Sequence, residues 1–172
     1  MLIDSHCHLD RLDLKPYGND FARFVQETRV AGVTHMLCVS INMDDYSAMR
    51  ALVEPYPGIS VSVGVHPNET ADKTCEEADL LALAQDARVV AIGETGLDYF
   101  RSEGDLTWQQ ERFRRHIRAA RTIAKPLIIH TREAREDTLR ILKEEAAGDA
   151  GGVMHCFTED WDTARQVLDL GF

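Results

Sequence analysis

Met1-Leu2-Ile3-Asp4-Ser5-His6-Cys7-His8 opens the chain as an apolar run that ends in two histidines one residue apart. The run reads as a buried strand. Successive strand side chains alternate faces, so His6 and His8 point the same way and Cys7 the other. Two imidazoles side by side can hold one metal ion, and an isolated pair of this kind is equally explained by hydrogen bonding. The rest of the chain repeats the arrangement. Val33 to Val39, Ile59 to Val65, Val89 to Ile92, Pro126 to Ile129 and Gly152 to Met154 read as further strands. Between them lie helical patterns: Asp20 to Ala31, stopped by Gly32; a segment from about Asp44 to Pro55; one carrying Leu80, Leu81 and Ala84; one carrying Phe113, Ile117 and Ala120; one carrying Leu139 and Leu142; and a last one from Trp161 towards Gly171. Thr74 with Glu77 and Thr107 with Gln110 resemble capping boxes.

Strand and helix alternate in units of roughly thirty residues, the pattern of βαβ units and a parallel sheet. No linker or low-complexity tract interrupts it, so residues 1–172 are expected to form a single domain. Residues with chemical potential fall where the apolar runs end: His6 and His8, then His66, Glu94, His130 and His155. A (β/α)₈ TIM-type barrel builds its active site at that face, and an open parallel α/β sheet also gathers ligands at strand carboxyl ends. No Gly-x-Gly-x-x-Gly follows any strand. The barrel is therefore expected, with about its first six βα units present, and the open sheet is the alternative.

Composition sets outer limits. Of the 172 residues, 44% are hydrophobic and 28% charged, which is ordinary for a globular domain. The excess of 29 acidic over 19 basic residues gives a net charge of −10, which argues against a protein that wraps nucleic acid but not against one that grips a strand end. There is no signal-peptide pattern at Met1 and no apolar stretch of membrane-spanning length, so a cytoplasmic protein without membrane association is expected. Cys7, Cys38, Cys75 and Cys156 show no Cys-x-x-Cys spacing, and three of the four lie in strand-like runs and are read as reduced, buried small hydrophobes.

His6, His8, Glu94, His130 and His155 together offer four imidazoles and one carboxylate, a donor set suited to zinc, manganese or iron more than to calcium, with magnesium less favoured. A carboxylate has two oxygens. Glu94 can therefore join an ion held by His6 and His8 to another held by His130 and His155, the layout of a two-metal hydrolase with ions about 3.5–4 Å apart.

Asp4-Ser5-His6-Cys7-His8, Gly64-Val65-His66-Pro67, Gly93-Glu94-Thr95-Gly96-Leu97-Asp98-Tyr99, Ile129-His130-Thr131-Arg132 and Met154-His155-Cys156-Phe157 together resemble the TatD-type metal-dependent deoxyribonucleases, among the amidohydrolase-like hydrolases. The resemblance runs from end to end. It implies two divalent cations (Zn, Mn or Mg), one held by His6, His8 and Glu94 and the other by Glu94, His130 and His155, and hydrolysis of DNA from 3′ ends. It also implies a further metal-binding, water-orienting aspartate beyond Phe172. A barrel of this type needs about 250 residues, so the sequence reads as about two thirds of one. Taken alone, six such units would leave the strands at Met1 and Gly152 with unpaired edges, and weak metal binding and little turnover are expected.

Among the other residues, His66 is placed to contact substrate or to serve structure. Asp98, in the loop expected after strand four, is placed to orient a ligand histidine or to act itself. Arg132 suits a phosphate oxygen, or else a salt bridge to Glu133 or Glu136. His35 and His116 read as structural, and Met43 and Met49 as core filling. Three functional classes follow: a two-metal phosphodiesterase; a hydrolase of an amide, ester, lactone or aminoacyl bond on the same site; and an inactive metal-binding fragment. No protein partner is inferable.

Overall fold

The computed structural model describes residues 1–73 and 75–172. Six strands lie side by side in chain order, every neighbouring pair parallel: β1 (Leu2–Cys7), β2 (Val33–Cys38), β3 (Ile59–Val63), β4 (Val89–Asp98), β5 (Leu127–Arg132) and β6 (Gly152–Met154). Each is followed by a helix: α1 (Phe21–Val30), α2 (Tyr46–Val53), α3 (Glu77–Leu83), α4 (Thr107–Ile123), α5 (Arg135–Glu144) and α6 (Trp161–Asp169). Helix periodicity explains what each buries. In α4, Phe113, Ile117 and Ala120 recur on one face and are fully buried, as are Ile141 and Leu142 of α5. All six helices contribute to one continuous apolar cluster, while Val39, Ala91 and Ile128 form a separate small cluster;. One shared helical layer on one side of the sheet is the barrel arrangement.

The curvature is visible at the two ends. In a flat six-stranded sheet β1 and β6 would stand roughly 24 Å apart, five spacings of about 4.8 Å. Instead the rings of His6, on β1, and His155, just past β6, stack with centroids 3.4 Å apart. The sheet is a curled half-barrel. Among the described residues β1 and β6 each pair with a single neighbour, and Leu2, Ile3 and Val153 on them are largely exposed.

Several local expectations change. β4 does not stop near Ile92 but continues to Asp98, because after an irregularity between Ile92 and Thr95 the strand resumes pairing, Thr95 with Ile129 through Asp98 with Arg132. Asp98 is thus the last residue of a strand, not a loop residue. Thr107 and Gln110 form no capping box, since Thr107 gives both its N–H and its hydroxyl to Asp105 Oδ1, at 2.9 and 2.5 Å. Thr74 lies outside the described residues; at the start of α3 the Asp79 carboxylate accepts from the Glu76 N–H. All four cysteines are free: Cys38 and Cys75 are buried, Cys7 is half-buried and Cys156 is exposed.

Gly96 shows why β4 can lie so close to β5. Its φ is +127°, and a Cβ built there would stand 2.0 Å from the His130 carbonyl oxygen. Gly32 also has a positive φ, +93°, but open space around it. Gly32→Ala should cost only backbone strain, about 1–3 kcal/mol. Gly96→Ala adds a backbone clash and should cost on the order of 4 kcal/mol or more in urea unfolding. Equal losses at the two positions would show that the glycine does not serve the β4–β5 approach.

Candidate metal centre

Glu94 is the centre of the site. It sits within β4, is only 3% exposed, and is fixed through the backbone on both sides: its N–H donates to Ser40 O at 2.9 Å, and the Gly93 carbonyl accepts from the Ser62 hydroxyl at 2.6 Å. Its two oxygens face different imidazoles. Oε2 lies 3.2 Å from His6 Nε2 and 3.9 Å from His8 Nε2, whereas Oε1 lies 3.5 Å from both His66 Nε2 and His130 Nδ1. Burial works against its charge, but His130, His6 and His66 outweigh burial and hold the carboxyl well below the usual carboxylate range.

Hydrogen bonds on the far side of each ring decide what the near side offers. His8 Nδ1 lies 2.9 Å from the Val39 carbonyl, so it carries the proton and leaves the Nε2 lone pair facing Glu94. His130 Nε2 lies 2.9 Å from Asp98 Oδ2, which leaves the Nδ1 lone pair facing Glu94. Such a donor–acceptor contact behind the ring is how metal-binding histidines are oriented. His6 Nε2 is buried with no hydrogen-bond partner, an orphaned ring nitrogen of the kind an ion satisfies. His66 differs. Its Nδ1 accepts from the Asn68 N–H at 3.0 Å, so its Nε2 carries the proton and is a donor rather than a ligand. By distance alone, His6, Glu94 and His155 form one group able to hold an ion and His66, Glu94 and His130 another. The donor set fits a divalent cation. His155 therefore stands with His6 rather than with His130, because the curl of the sheet brings β6 round to β1.

His8, His66, Glu94, His130 and His155 line a cleft of about 440 Å³ together with Arg11, Asn68, Glu69 and Arg101. The model of the TatD-related DNase family matches residues 3–172. The chain belongs to the TatD-related DNase family. It is 46% identical over 171 residues to the uncharacterized metal-dependent hydrolase YcfH of Escherichia coli K12, covering 99% of this chain and 64% of that protein. A Cronobacter sakazakii relative named 3′-5′ ssDNA/RNA exonuclease TatD is 33% identical, over 90% of this chain and 59% of that protein. The crystal structure of YJJV, a TatD homolog from E. coli K12, superposes with a TM-score of 0.84 at 28% identity, covering 99% of this chain and 65% of that one. The chain thus spans less than two thirds of the length of these relatives.

In this TatD-family chain the structure brings His6, His8, Glu94, His130, His155 and His66 together and places Asp98 behind His130. Arg132 is not brought in. Its guanidinium lies over the Phe100 ring, 3.8 Å from the centroid, it is not among the residues that line the cleft, and among the described residues it forms no salt bridge to Glu133 or Glu136. Residues that the motifs did not reveal support the site. Buried Gln109 of α4 accepts from the Asp98 N–H at 2.9 Å and donates to Ser102 Oγ at 2.8 Å. Arg112 gives its guanidinium to the carbonyls of His66, Glu69 and Thr70 at 3.4, 3.1 and 2.6 Å. Ser62, one of two serines alternating with apolar residues in β3 and the one that is fully buried, is the one such position whose sequence context marks it out.

His116 completes this grip: its Nδ1 donates to Arg112 O at 2.8 Å and its Nε2 accepts from the Val65 N–H at 3.0 Å, so the neutral ring holds the residue before His66. Full burial pushes its pKa down to about 4. The unfolded imidazole takes up a proton below its ordinary value of about 6.5 while the folded one does not, so stability is lost as pH falls from 6.5 towards 4. Glutamine can make both bonds without titrating. The stability advantage of wild type over His116→Gln at pH 7.5 should shrink by on the order of 3 kcal/mol by pH 4. His130 is shifted upwards, burial being outweighed by Glu94 and Asp98, which opposes the trend equally in both proteins. A pH-independent gap would contradict a buried neutral His116.

Proposed function

We propose that this chain carries the site of a divalent-metal-dependent hydrolase that cleaves phosphodiester bonds of DNA from the 3′ end. The observation that carries the reading is the division of Glu94: Oε2 faces His6 and His8 while Oε1 faces His130 and His66, an arrangement that suits a carboxylate shared by two cations. His6, His8 and His155 would hold one ion and His130 the other, with Glu94 common to both. When bound, such ions supply a water nucleophile at neutral pH and offset charge on the phosphoryl oxygens. The chain's own residues do the rest. Asp98 orients His130. The His66 Nε2–H, fixed by Asn68, donates to an anionic oxygen of the substrate. Hydrolysis joins the water oxygen to phosphorus, breaks the bond to the 3′ oxygen of the preceding nucleotide and returns a proton to that oxygen. The relative named as an exonuclease supports the substrate class. The working compartment would be the cytoplasm, where the free thiols stay reduced; no helix among the described residues is long and apolar enough to cross a membrane. Because related donor sets also serve amide, ester, lactone and aminoacyl hydrolysis, that is the second reading.

The test is release of label from 3′-labelled single-stranded DNA with Mg²⁺, Mn²⁺ or Zn²⁺, beside an ester substrate. Slow, metal-dependent release of mononucleotides, abolished by chelator, is expected of residues 1–172. Glu94→Gln should lower cation content at both half-sites together and slow release by about a hundredfold or more. Ester turnover without nucleotide release would select the second reading, and loss of only one cation would make Glu94 a terminal ligand.

A further inference from the structure

Arg101 sits on the cleft rim, three residues past the strand that carries Glu94. Among the described residues its guanidinium has no carboxylate partner. The contrast with Arg11 on the same rim is direct, since Arg11 is bound to Asp45 at 2.9 Å and lies 3.5 Å from Asp10. A positive charge left unpaired in a chain of net charge −10 is a charge available to a ligand. The backbone that carries it is held in place. Asp98 Oδ1 accepts from the N–H of Phe100 and of Arg101 at 3.1 and 2.9 Å, while its other oxygen orients His130. Gln109 then pins Ser102 on the far side. The loop is therefore fixed at both of Arg101's neighbours by groups that also build the metal centre, and its register against that centre is set by one carboxylate.

We infer that Arg101 is a specificity-determining anion anchor, binding a backbone phosphate of the substrate strand. A guanidinium donates to two phosphate oxygens at once and stays charged at any working pH. With no other unpaired arginine lining the cleft among the described residues, the strand meets one cation on an anchored backbone rather than a basic groove. That suits a strand end and disfavours internal duplex. The inference rests on the nucleic-acid reading of the site and supplies the phosphate contact that Arg132 does not.

The probe is a fluorescein-labelled six-nucleotide oligothymidylate with phosphorothioate linkages, titrated by anisotropy against the full chain in Mn²⁺ at several salt concentrations. Arg101→Ala should weaken binding about five- to tenfold and make the slope of log affinity against log salt shallower by about 0.7, the value for one phosphate contact on a single strand. Arg101→Lys should restore the slope and part of the affinity. The control is Arg29→Ala, which removes a charge beside Gly58, before β3 and at the opposite end of the strands, that likewise has no carboxylate partner among the described residues; it should leave both unchanged. Manganese content should be the same in all four proteins. The inference is overturned if wild type binds and Arg101→Ala binds equally well. It is also overturned if Arg29→Ala weakens binding as much, or if Arg101→Ala loses manganese. Wild type that binds no oligothymidylate yet hydrolyses an ester overturns the nucleic-acid reading, and the phosphate anchor with it.

Discussion

A carboxylate that stays ionised while 97% shielded from water is costly unless its charge is answered at once, and Glu94 is that carboxylate. The compensation comes from imidazoles, not from lysine or arginine. Imidazoles can be neutral, with a lone pair directed inward, or protonated and donating, so the same ring positions can either hold a cation beside the carboxylate or replace it. The fold is arranged to supply them. Parallel strands deliver these residues to the same end of the sheet, and only a curled sheet can bring the first and sixth strands within reach of the same carboxylate.

The supports of that carboxylate are mainly backbone contacts. Ser40, just past β2, and Ser62, on the neighbouring β3, fix the backbone at Glu94 and Gly93. Glycine at 96 lets β4 close on β5 beside His130. On the outer side, α4 reaches through the layer with Gln109, Arg112 and His116 to hold the segments that follow β4 and β3. One helix thus sets the position of two loops that border the cleft, which ties the apolar packing of Phe113 and Ile117 to the geometry of the site.

Much of this was legible in the sequence. The strands were marked by apolar runs, and the period of two in His6-Cys7-His8 correctly put both imidazoles on one face. Ligand-type residues at the ends of five of the six strands point to a common site. The extension of β4 was not legible, because Gly93-Glu94-Thr95-Gly96 has the composition of a loop, and only its pairing with β5 makes it a strand. The partition of the histidines was likewise hidden. Which nitrogen each ring offers depends on Val39, Asn68 and Asp98, contacts fixed by packing across elements. Arg132 was read from strand alternation alone, which cannot anticipate an aromatic ring arriving from the segment after β4.

The central claim is that Glu94 lies between two cation sites defined by separate imidazole groups. Anomalous diffraction at the zinc edge from Zn²⁺-soaked crystals tests it directly. Two anomalous peaks flanking Glu94, one beside His6, His8 and His155 and one beside His130, each about 2.0–2.2 Å from a carboxylate oxygen, are predicted, with His66 Nε2 coordinating neither. Peaks remote from Glu94, or a peak coordinated by His66 Nε2, would contradict the account.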